Sequence, residues 1–315
     1  MPPLPRPAIL LPAVVLALAA WGCQGEADDD DTGDDDTTPT DDDTTPADDD
    51  TTPADDDTSD DDTSDDDTSD DDTSDDDTSP PAPEIWLGAF DSTRSGEAAI
   101  ADGSLFGTLR EVLLTGLSQP VGVRGNSVLS EAFVGTVDGL VISLHTAGDV
   151  APQPLEDSEL HQLEEFVRSG KPVVLLTDSN ATADLDDLND DLLVSFGITT
   201  DFSLSGEQYA FVSAPDAHVL TSDPNRLTTF TQYDPGPFEF LGPATFLAAM
   251  QGAPGYAGAV LDPGVWASGA GALVFFADLN TFIDEANALG VPGYALESAD
   301  LIENVGEYLL ANLGS

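Results

Sequence analysis

The fold of this chain is decided by two segments, VDGLVI at residues 137–142 and FVRSGKPVVLL at residues 166–176. Each contains an apolar run of strand length, and residues 158–168 carry apolar side chains at helical spacing. A strand, a helix and a second strand in this order form the βαβ unit of a parallel sheet. The two segments therefore predict an α/β domain.

The same alternation extends outward from these segments, and beyond Ile198 it changes to strand-like runs separated by Gly- and Pro-rich turns. We predict strands at residues 84–90, 139–144, 173–176, 209–212, 246–250, 258–261 and 272–277. We predict helices at residues 105–117, 158–168, 185–196 and 298–313, with Ser158 as the N-cap of the second and Gly197 ending the third. Residues 84–315 are thus expected to form one α/β domain.

Charge divides the 315 residues into two unlike parts. Residues 26–79 contain 29 acidic residues and no basic one, whereas residues 80–315 contain 33 acidic and six basic residues. Neither part has a basic patch that would release counterions from phosphates, which excludes binding to nucleic acid. The same deficit disfavours docking of the folded part onto anionic lipid.

Residues 1–22 are predicted to be a signal peptide, because Arg6 precedes an apolar run at 8–20 that is too short to span a bilayer. The run ends in AWGC at residues 20–23, which resembles the lipobox of bacterial lipoproteins. That resemblance implies a lipid on Cys23, and Gln24 then favours sorting to the outer membrane, facing the periplasm or the cell surface. Secretion without a lipid is the alternative.

Residues 23–83 are predicted to be the lipidated cysteine followed by a disordered acidic tether. Three seven-residue units start at Asp34, and five DDDTS units occupy residues 55–79. Such repeats carry too few apolar residues to form a core, and their like charges repel. The alternative is a structural envelope protein in which the Asp triplets collect divalent cations diffusely, since the Gly and terminal Glu of an EF-hand are missing.

Four segments together resemble the class I glutamine amidotransferase-like superfamily. They are VDGLVI at 137–142, FVRSGKPVVLL at 166–176, NDDLLVSFGI at 189–198 and GALVFFADLNTF at 271–282, followed by Asn304. The resemblance implies a flavodoxin-like, doubly wound, mostly parallel sheet. In enzymatic members a cysteine follows the strand that here ends at Thr177, but this chain has Asp178, Ser179 and Asn180 there. Because Cys23 is the only cysteine, the resemblance implies a scaffold for binding and not amidase chemistry.

Polar residues follow several predicted strands, where ligands bind in open parallel sheets. The candidates for a ligand or metal site are Asp91, Asp178, Asn180, Asp278 and Asn280. Three interpretations stay open. Ser179 could be the nucleophile of a hydrolase with His145 or His218 as base, although no G-x-S-x-G motif surrounds it. Alternatively, Asp91, Asp178 and Asp278 could converge on calcium or magnesium, or these residues could simply cap helices and complete turns.

We therefore expect a non-catalytic outer-membrane lipoprotein that needs no cofactor and whose α/β domain binds a ligand or an envelope partner. The alternatives are a hydrolase that uses Ser179 and a structural or divalent-cation-binding envelope protein.

Overall fold

A computed structural model describes residues 82–179, 183–200, 203–284 and 292–313, without the side chains of residues 183 and 184. The predicted signal peptide, Cys23, the tether to residue 81 and Asn180 lie outside these ranges. Within the described ranges, the helices are too short or too polar to cross a membrane.

Eleven strands and six α-helices make up the described part of the chain. The strands are β1 (Ile85–Phe90), β2 (Val121–Asn126), β3 (Gly139–Ile142), β4 (Val173–Leu176), β5 (Thr199–Thr200), β6 (Glu207–Phe211), β7 (Thr229–Tyr233), β8 (Phe238–Phe240), β9 (Thr245–Met250), β10 (Tyr256–Leu261) and β11 (Leu273–Phe276). The helices are α1 (Ser92–Ser95), α2 (Gly107–Glu111), α3 (Glu131–Val134), α4 (Asp157–Arg168), α5 (Ala183–Leu193) and α6 (Ala299–Ala311).

The strands form one mixed sheet in the order β2-β1-β3-β4-β11-β10-β9-β6-β7, with β5 and β8 as a side branch. Five neighbouring strands run parallel to one another: β2, β1, β3, β4 and β11. This confirms the predicted α/β class and the parallel central region. From β11 onward the pairs are antiparallel. In this half a short turn joins β9 to β10 as a hairpin, whereas parallel strands need a crossover connection.

The core lies on both faces of the sheet. In β4, Val174 and Leu176 join one buried cluster together with Ile302 of α6. Val173 and Leu175 join the other cluster together with Leu163 of α4. Successive side chains of a strand point to opposite faces, so a strand covered on both sides has a continuous apolar sequence.

The boundaries of two predicted helices need correction. Helix α4 begins at Asp157 and not after Ser158, because Glu156 is its N-cap and forms a capping box with Glu159. The helix predicted over 105–117 is broken into a 3-10 turn (Ser104–Phe106), α2 and a π-helix (Val112–Gly116). The Asp284 carboxylate accepts hydrogen bonds from the amides of Gly107 and Thr108, so a distant residue sets the start of α2.

Other predicted elements agree with the structure to within a few residues, including β4, β11 and α6. Gly197 adopts φ 74° at the end of the 3-10 turn after α5, which confirms the predicted stop. Strands β2, β5, β7 and β8 were not predicted. The first of these, VGVRGN, has two glycines and a charged residue and lacks an apolar run.

Candidate functional site

Three polar side chains lie at one level beyond the carboxyl ends of adjacent parallel strands. Ile142 of β3 pairs with Leu175 of β4, and Leu176 of β4 pairs with Phe276 of β11. Continuing these registers brings His145, Asp178 and Asp278 side by side. We call these three residues the polar row. It lies at the edge of the sheet where α/β folds bind ligands.

His145 and Asp178 form the first contact in the polar row. Nδ1 of His145 lies 3.4 Å from Oδ2 of Asp178, and the two side chains are 11% and 16% exposed. Nε2 of His145 is buried and has no hydrogen-bond partner among the described residues. Nδ1 therefore faces the carboxylate of Asp178, while Nε2 lies on the other side of the imidazole ring.

Asp178 is held in place by its neighbours. Its Oδ1 accepts a hydrogen bond of 2.7 Å from the Ser179 amide, and its backbone carbonyl accepts one of 2.9 Å from Nδ2 of Asn189 in α5. Burial raises the pKa of Asp178, and although His145 and the Ser179 amide oppose this, the negative charge of Asp234 adds to it.

Asp278 has a structural role within the polar row. Its Oδ2 accepts a hydrogen bond of 2.6 Å from the Tyr233 amide, and its Oδ1 accepts one of 2.8 Å from the Asn280 amide. Nδ2 of Asn280 donates in turn to the Tyr233 carbonyl at 3.1 Å. Asp278 and Asn280 therefore anchor the end of β7 against the end of β11. Complete burial, followed by the charge of Asp178, raises the pKa of Asp278 well above its usual range.

Further carboxylates extend the negative charge from the polar row toward the surface. Tyr294 lies within electrostatic range of Asp278, Glu207 and Glu297, and its hydroxyl is 3.4 Å from Oε2 of Glu207. Burial, together with these three charges, raises the pKa of Tyr294 to about 12. The exposed Tyr209 also donates a hydrogen bond to Glu207. We define the acidic cluster as Asp178, Asp234, Asp278, Glu207 and Glu297.

The basic side chains of the folded part are engaged away from the acidic cluster. Residues 80–315 contain six of them. Each contacts a carboxylate, a carbonyl or an aromatic ring elsewhere: Arg94 with Glu159, Arg110 with the Ile100 carbonyl, Arg124 with Trp86, Arg168 with Trp266, Lys171 with the Val137 carbonyl, and Arg226 with Asp216. Among the described basic groups, His145 is the one in contact with the acidic cluster.

The serine–histidine pair of a hydrolase is not assembled in the part of the chain that the structure describes. Oγ of Ser179 lies 3.3 Å from Oγ of Ser203, whereas Nε2 of His145 has no partner. His218 lies with Asp262 and Tyr308, after the antiparallel strand β10 and so at the opposite edge of the sheet. The predicted use of Ser179 with either histidine is therefore not observed.

The predicted convergence of Asp91, Asp178 and Asp278 on a cation is not observed either. Asp91 caps α1, and its Oδ1 accepts a hydrogen bond of 3.0 Å from the Thr93 amide. In the described ranges, there is no group of three or more His, Cys, Asp or Glu side chains that could hold a metal ion. The capping interpretation is confirmed for Asp91 and for Asp278, which caps the 3-10 turn Leu279–Phe282.

Sequence reasoning missed the residues that surround the polar row. Asp234 follows β7, which was not predicted, and Glu207 begins β6, two residues before the predicted strand. Asp234 has φ 51°, a left-handed conformation that Asp adopts more readily than most residues. Three strands separate β7 from β11 in the sheet, yet the hydrogen bond from the Tyr233 amide to Asp278 brings the end of β7 to the row, and no local pattern encodes that approach.

Neither a family model nor a curated protein matches the sequence. Solved structures do match. The fold of the chain is similar to that of the N-terminal domain of mmIFT52. That match has a TM-score of 0.52 at 13% identity and covers 71% of this chain and 97% of that one. A ThuA-like protein from Bacteroides uniformis matches with a TM-score of 0.47 at 9% identity, over 74% of this chain and 94% of that one. A ThuA-like protein from Parabacteroides merdae matches with a TM-score of 0.43 at 10% identity, over 73% and 91%.

Proposed function

We propose that this chain is a membrane-anchored lipoprotein of the bacterial outer membrane, whose α/β domain binds a small ligand and does not catalyse a reaction. The observation that carries the proposal is the polar row at the carboxyl edge of the parallel strands, with the buried, unpartnered Nε2 of His145. Buried polar atoms in native proteins are nearly always paired, so an orphan nitrogen at a ligand-binding edge indicates a partner that is bound in use.

We also propose that the parallel region is flavodoxin-like and doubly wound, on the scaffold of the amidotransferase-like superfamily. Counted in chain order, its five parallel strands lie in the order 2-1-3-4-5, which is the flavodoxin-like order. Buried clusters that include helices on each face support the doubly wound arrangement.

Binding is favoured over catalysis by what His145 contacts. A histidine base needs a nucleophile within hydrogen-bond reach, about 2.6–3.2 Å. In the described residues, Nδ1 of His145 faces Asp178 and Nε2 faces no hydroxyl. The segment after β4 also has Asp178 and Ser179 where enzymatic relatives of the proposed superfamily carry cysteine.

In this proposal, the lipid anchor and the tether determine where the domain lies relative to the membrane. A lipid on Cys23 would hold the chain in the membrane through acyl chains. The 57 residues from 23 to 79 would let the domain reach up to roughly 190 Å from it.

Two experiments test the proposal. Cell fractionation should find the wild-type chain in the outer membrane and the Cys23→Ser variant in the soluble fraction; retention of the variant in the membrane would contradict the anchor. For binding, the melting temperature of the full chain is measured against a panel of cationic, neutral and anionic metabolites. At least one compound should stabilise the wild type and not His145→Gln. If none does so, the ligand-binding role is wrong.

Catalysis is tested on the same proteins. Hydrolysis of 4-nitrophenyl acetate should be no faster with the wild type than with Ser179→Ala. A rate that depends on Ser179 would favour the hydrolase alternative instead.

A further inference from the structure

We infer that the outward face of the antiparallel strands β6, β9 and β10 is a docking surface for a basic partner protein, whose arginine side chains lie over exposed aromatic rings. We define the aromatic face as Tyr209, Phe211, Phe246 and Tyr256. The inference adds a protein partner to the proposed binding of a small ligand, and it does not depend on His145.

Strand pairing places the four rings on one face of the sheet. Phe211 of β6 pairs with Ala249 of β9, and Ala249 pairs with Tyr256 of β10. Paired side chains lie on the same face, so the small Ala249 separates Phe211 from Tyr256 by two strand spacings, about 10 Å. The ring of Phe246 contacts that of Tyr256, with their centroids 5.4 Å apart. Tyr209 shares the face because it lies two residues before Phe211.

The aromatic face is open to solvent, whereas the opposite face of the same strands is core. Ala210 of β6 and Met250 of β9 belong to the buried cluster that contains side chains of α6. On the aromatic face, Tyr209, Phe211 and Phe246 are 47%, 46% and 44% exposed. The outer face of an antiparallel sheet is ordinarily polar, and a contiguous exposed apolar patch marks an interaction site. The aromatic face therefore has the character of a docking surface.

Other aromatic rings of the domain are already covered by the domain's own cations. Arg94 lies over Phe90, Arg124 over Trp86, Arg168 over Trp266 and Lys171 over Phe166, at 3.9–4.9 Å from the ring centroids. Within the described ranges, no basic side chain lies over a ring of the aromatic face. A cation over these rings therefore has to come from a partner.

Carboxylates beside the aromatic face determine the charge of that partner. The hydroxyl of Tyr209 donates a hydrogen bond to Glu207, whose other oxygen lies 3.4 Å from the Tyr294 hydroxyl. This hydrogen bond, together with the negative charges of Glu207 and Glu297, raises the pKa of Tyr209. An arginine can stack on a ring and pair with a carboxylate through the same guanidinium.

Charge also argues against a second copy of this chain as the occupant. Residues 80–315 contain 33 acidic and six basic residues, so two copies that meet through this face repel each other. Complementary charge favours a basic partner and disfavours an acidic one.

Amide NMR titration of the full chain tests the inference, with a short peptide of alternating arginine and serine as the probe. A peptide of alternating glutamate and serine, of the same length, is the control probe. Each shifted resonance gives its own Kd, which distinguishes binding at the aromatic face from binding to the acidic tether. The arginine peptide should shift the amides of Phe211 and Ala249, and the glutamate peptide should not.

Removal of two rings should weaken this binding. The double variant Tyr209→Ser, Phe211→Ser should raise the Kd measured at Ala249 by about tenfold, as expected for two exposed contacts between a cation and a ring. The matched control is Val265→Ser, which removes a 47% exposed apolar side chain from the turn between β10 and β11. It should change the Kd by less than about twofold.

A second variant keeps the test valid if the double variant does not fold, as judged by circular dichroism. Phe246→Ser then replaces it and should raise the same Kd by about threefold, because one ring is lost.

Four outcomes would overturn the inference. They are shifts confined to the tether, an equal Kd in the wild type and the ring variants, equal binding of the glutamate peptide, and shifts at the aromatic face that grow with protein concentration alone. The last of these would assign the face to a second copy of the chain. None of the four bears on the small-ligand role, which is tested separately with His145→Gln.

Discussion

The guanidinium of Arg94 lies 2.7 Å from the carboxylate of Glu159, with only 6% and 2% of the two side chains exposed. Arg94 also donates to the carbonyls of Ser127 and Pro154, while Glu159 accepts from the Leu129 amide. This buried pair ties α1 and α4 to the loops that follow β2 and β3. Burial by itself would raise the pKa of Glu159, but the hydrogen bonds from Arg94 and the backbone lower it overall.

Arg94→Met should destabilise the fold by about 3–5 kcal/mol, because it leaves a buried carboxylate without its partner. Urea unfolding measures the change. Arg226→Met is the control, since its pair with Asp216 is 57% and 75% exposed and should contribute about 0–1 kcal/mol. The double variant Arg94→Met, Glu159→Leu should recover part of the lost stability. If its loss instead equals the losses of the single variants Arg94→Met and Glu159→Leu added together, the pair is not coupled.

The polar row should make stability fall as the pH rises. Asp178 and Asp278 have pKa values raised above the usual 3.8, so the folded state binds more protons than the unfolded state once the pH passes that value. The associated stability is present below pH 3.8 and is lost as the pH rises through the folded-state pKa values. Urea unfolding of the wild type and Asp178→Asn from pH 4 to pH 8 should show a weaker decline in the variant. Parallel curves would contradict the raised pKa values.

Substitution of Asn304 should lower the stability of the fold more than substitution of most other polar residues. It is completely buried in α6, where Oδ1 accepts from the Asn225 amide at 2.8 Å and Nδ2 donates to the Leu220 and Asn225 carbonyls at 3.0 and 2.7 Å. Asn304→Leu should cost about 2–4 kcal/mol, since it leaves buried backbone groups unpaired. Asn225→Ala keeps those backbone contacts and should cost less than about 1 kcal/mol. Similar losses in both variants, measured by urea unfolding, would argue against this role.

Tyr308 should resist ionisation. Burial, together with its hydrogen bond of 2.8 Å to Oδ1 of Asp262, raises the pKa of its hydroxyl. In an absorbance titration to pH 11, the Tyr308→Phe variant should therefore lose no ionising tyrosine relative to the wild type. The same variant should be less stable by about 1 kcal/mol, because one hydrogen bond to a carboxylate is lost. Loss of an ionising tyrosine below pH 11 would contradict the burial of this hydroxyl.

Local sequence patterns predicted the parts of the structure that local physics controls. Strand β4 was predicted because a strand covered on both faces must be apolar throughout, and α6 because its buried side chains repeat with helical period. The start of α2 was not predicted, since the residue that caps it, Asp284, lies 177 residues away in sequence. The same holds for β2 and β7, whose burial comes from neighbours and not from an apolar run of their own.

The sequence by itself determined the class of the central fold, the strong excess of acid and the absence of cysteine from residues 80–315. It also indicated that His145, Asp178 and Asp278 lie at strand ends, because the apolar run of a strand gives way to polar residues where the chain leaves the core. Only the tertiary structure decided which of them meet. Strand order and register bring His145 to Asp178 and separate Asp91 and His218 from them, and the antiparallel strands add Asp234 and Glu207. These relationships depend on pairing between distant segments, which the periodicity of a single segment does not contain.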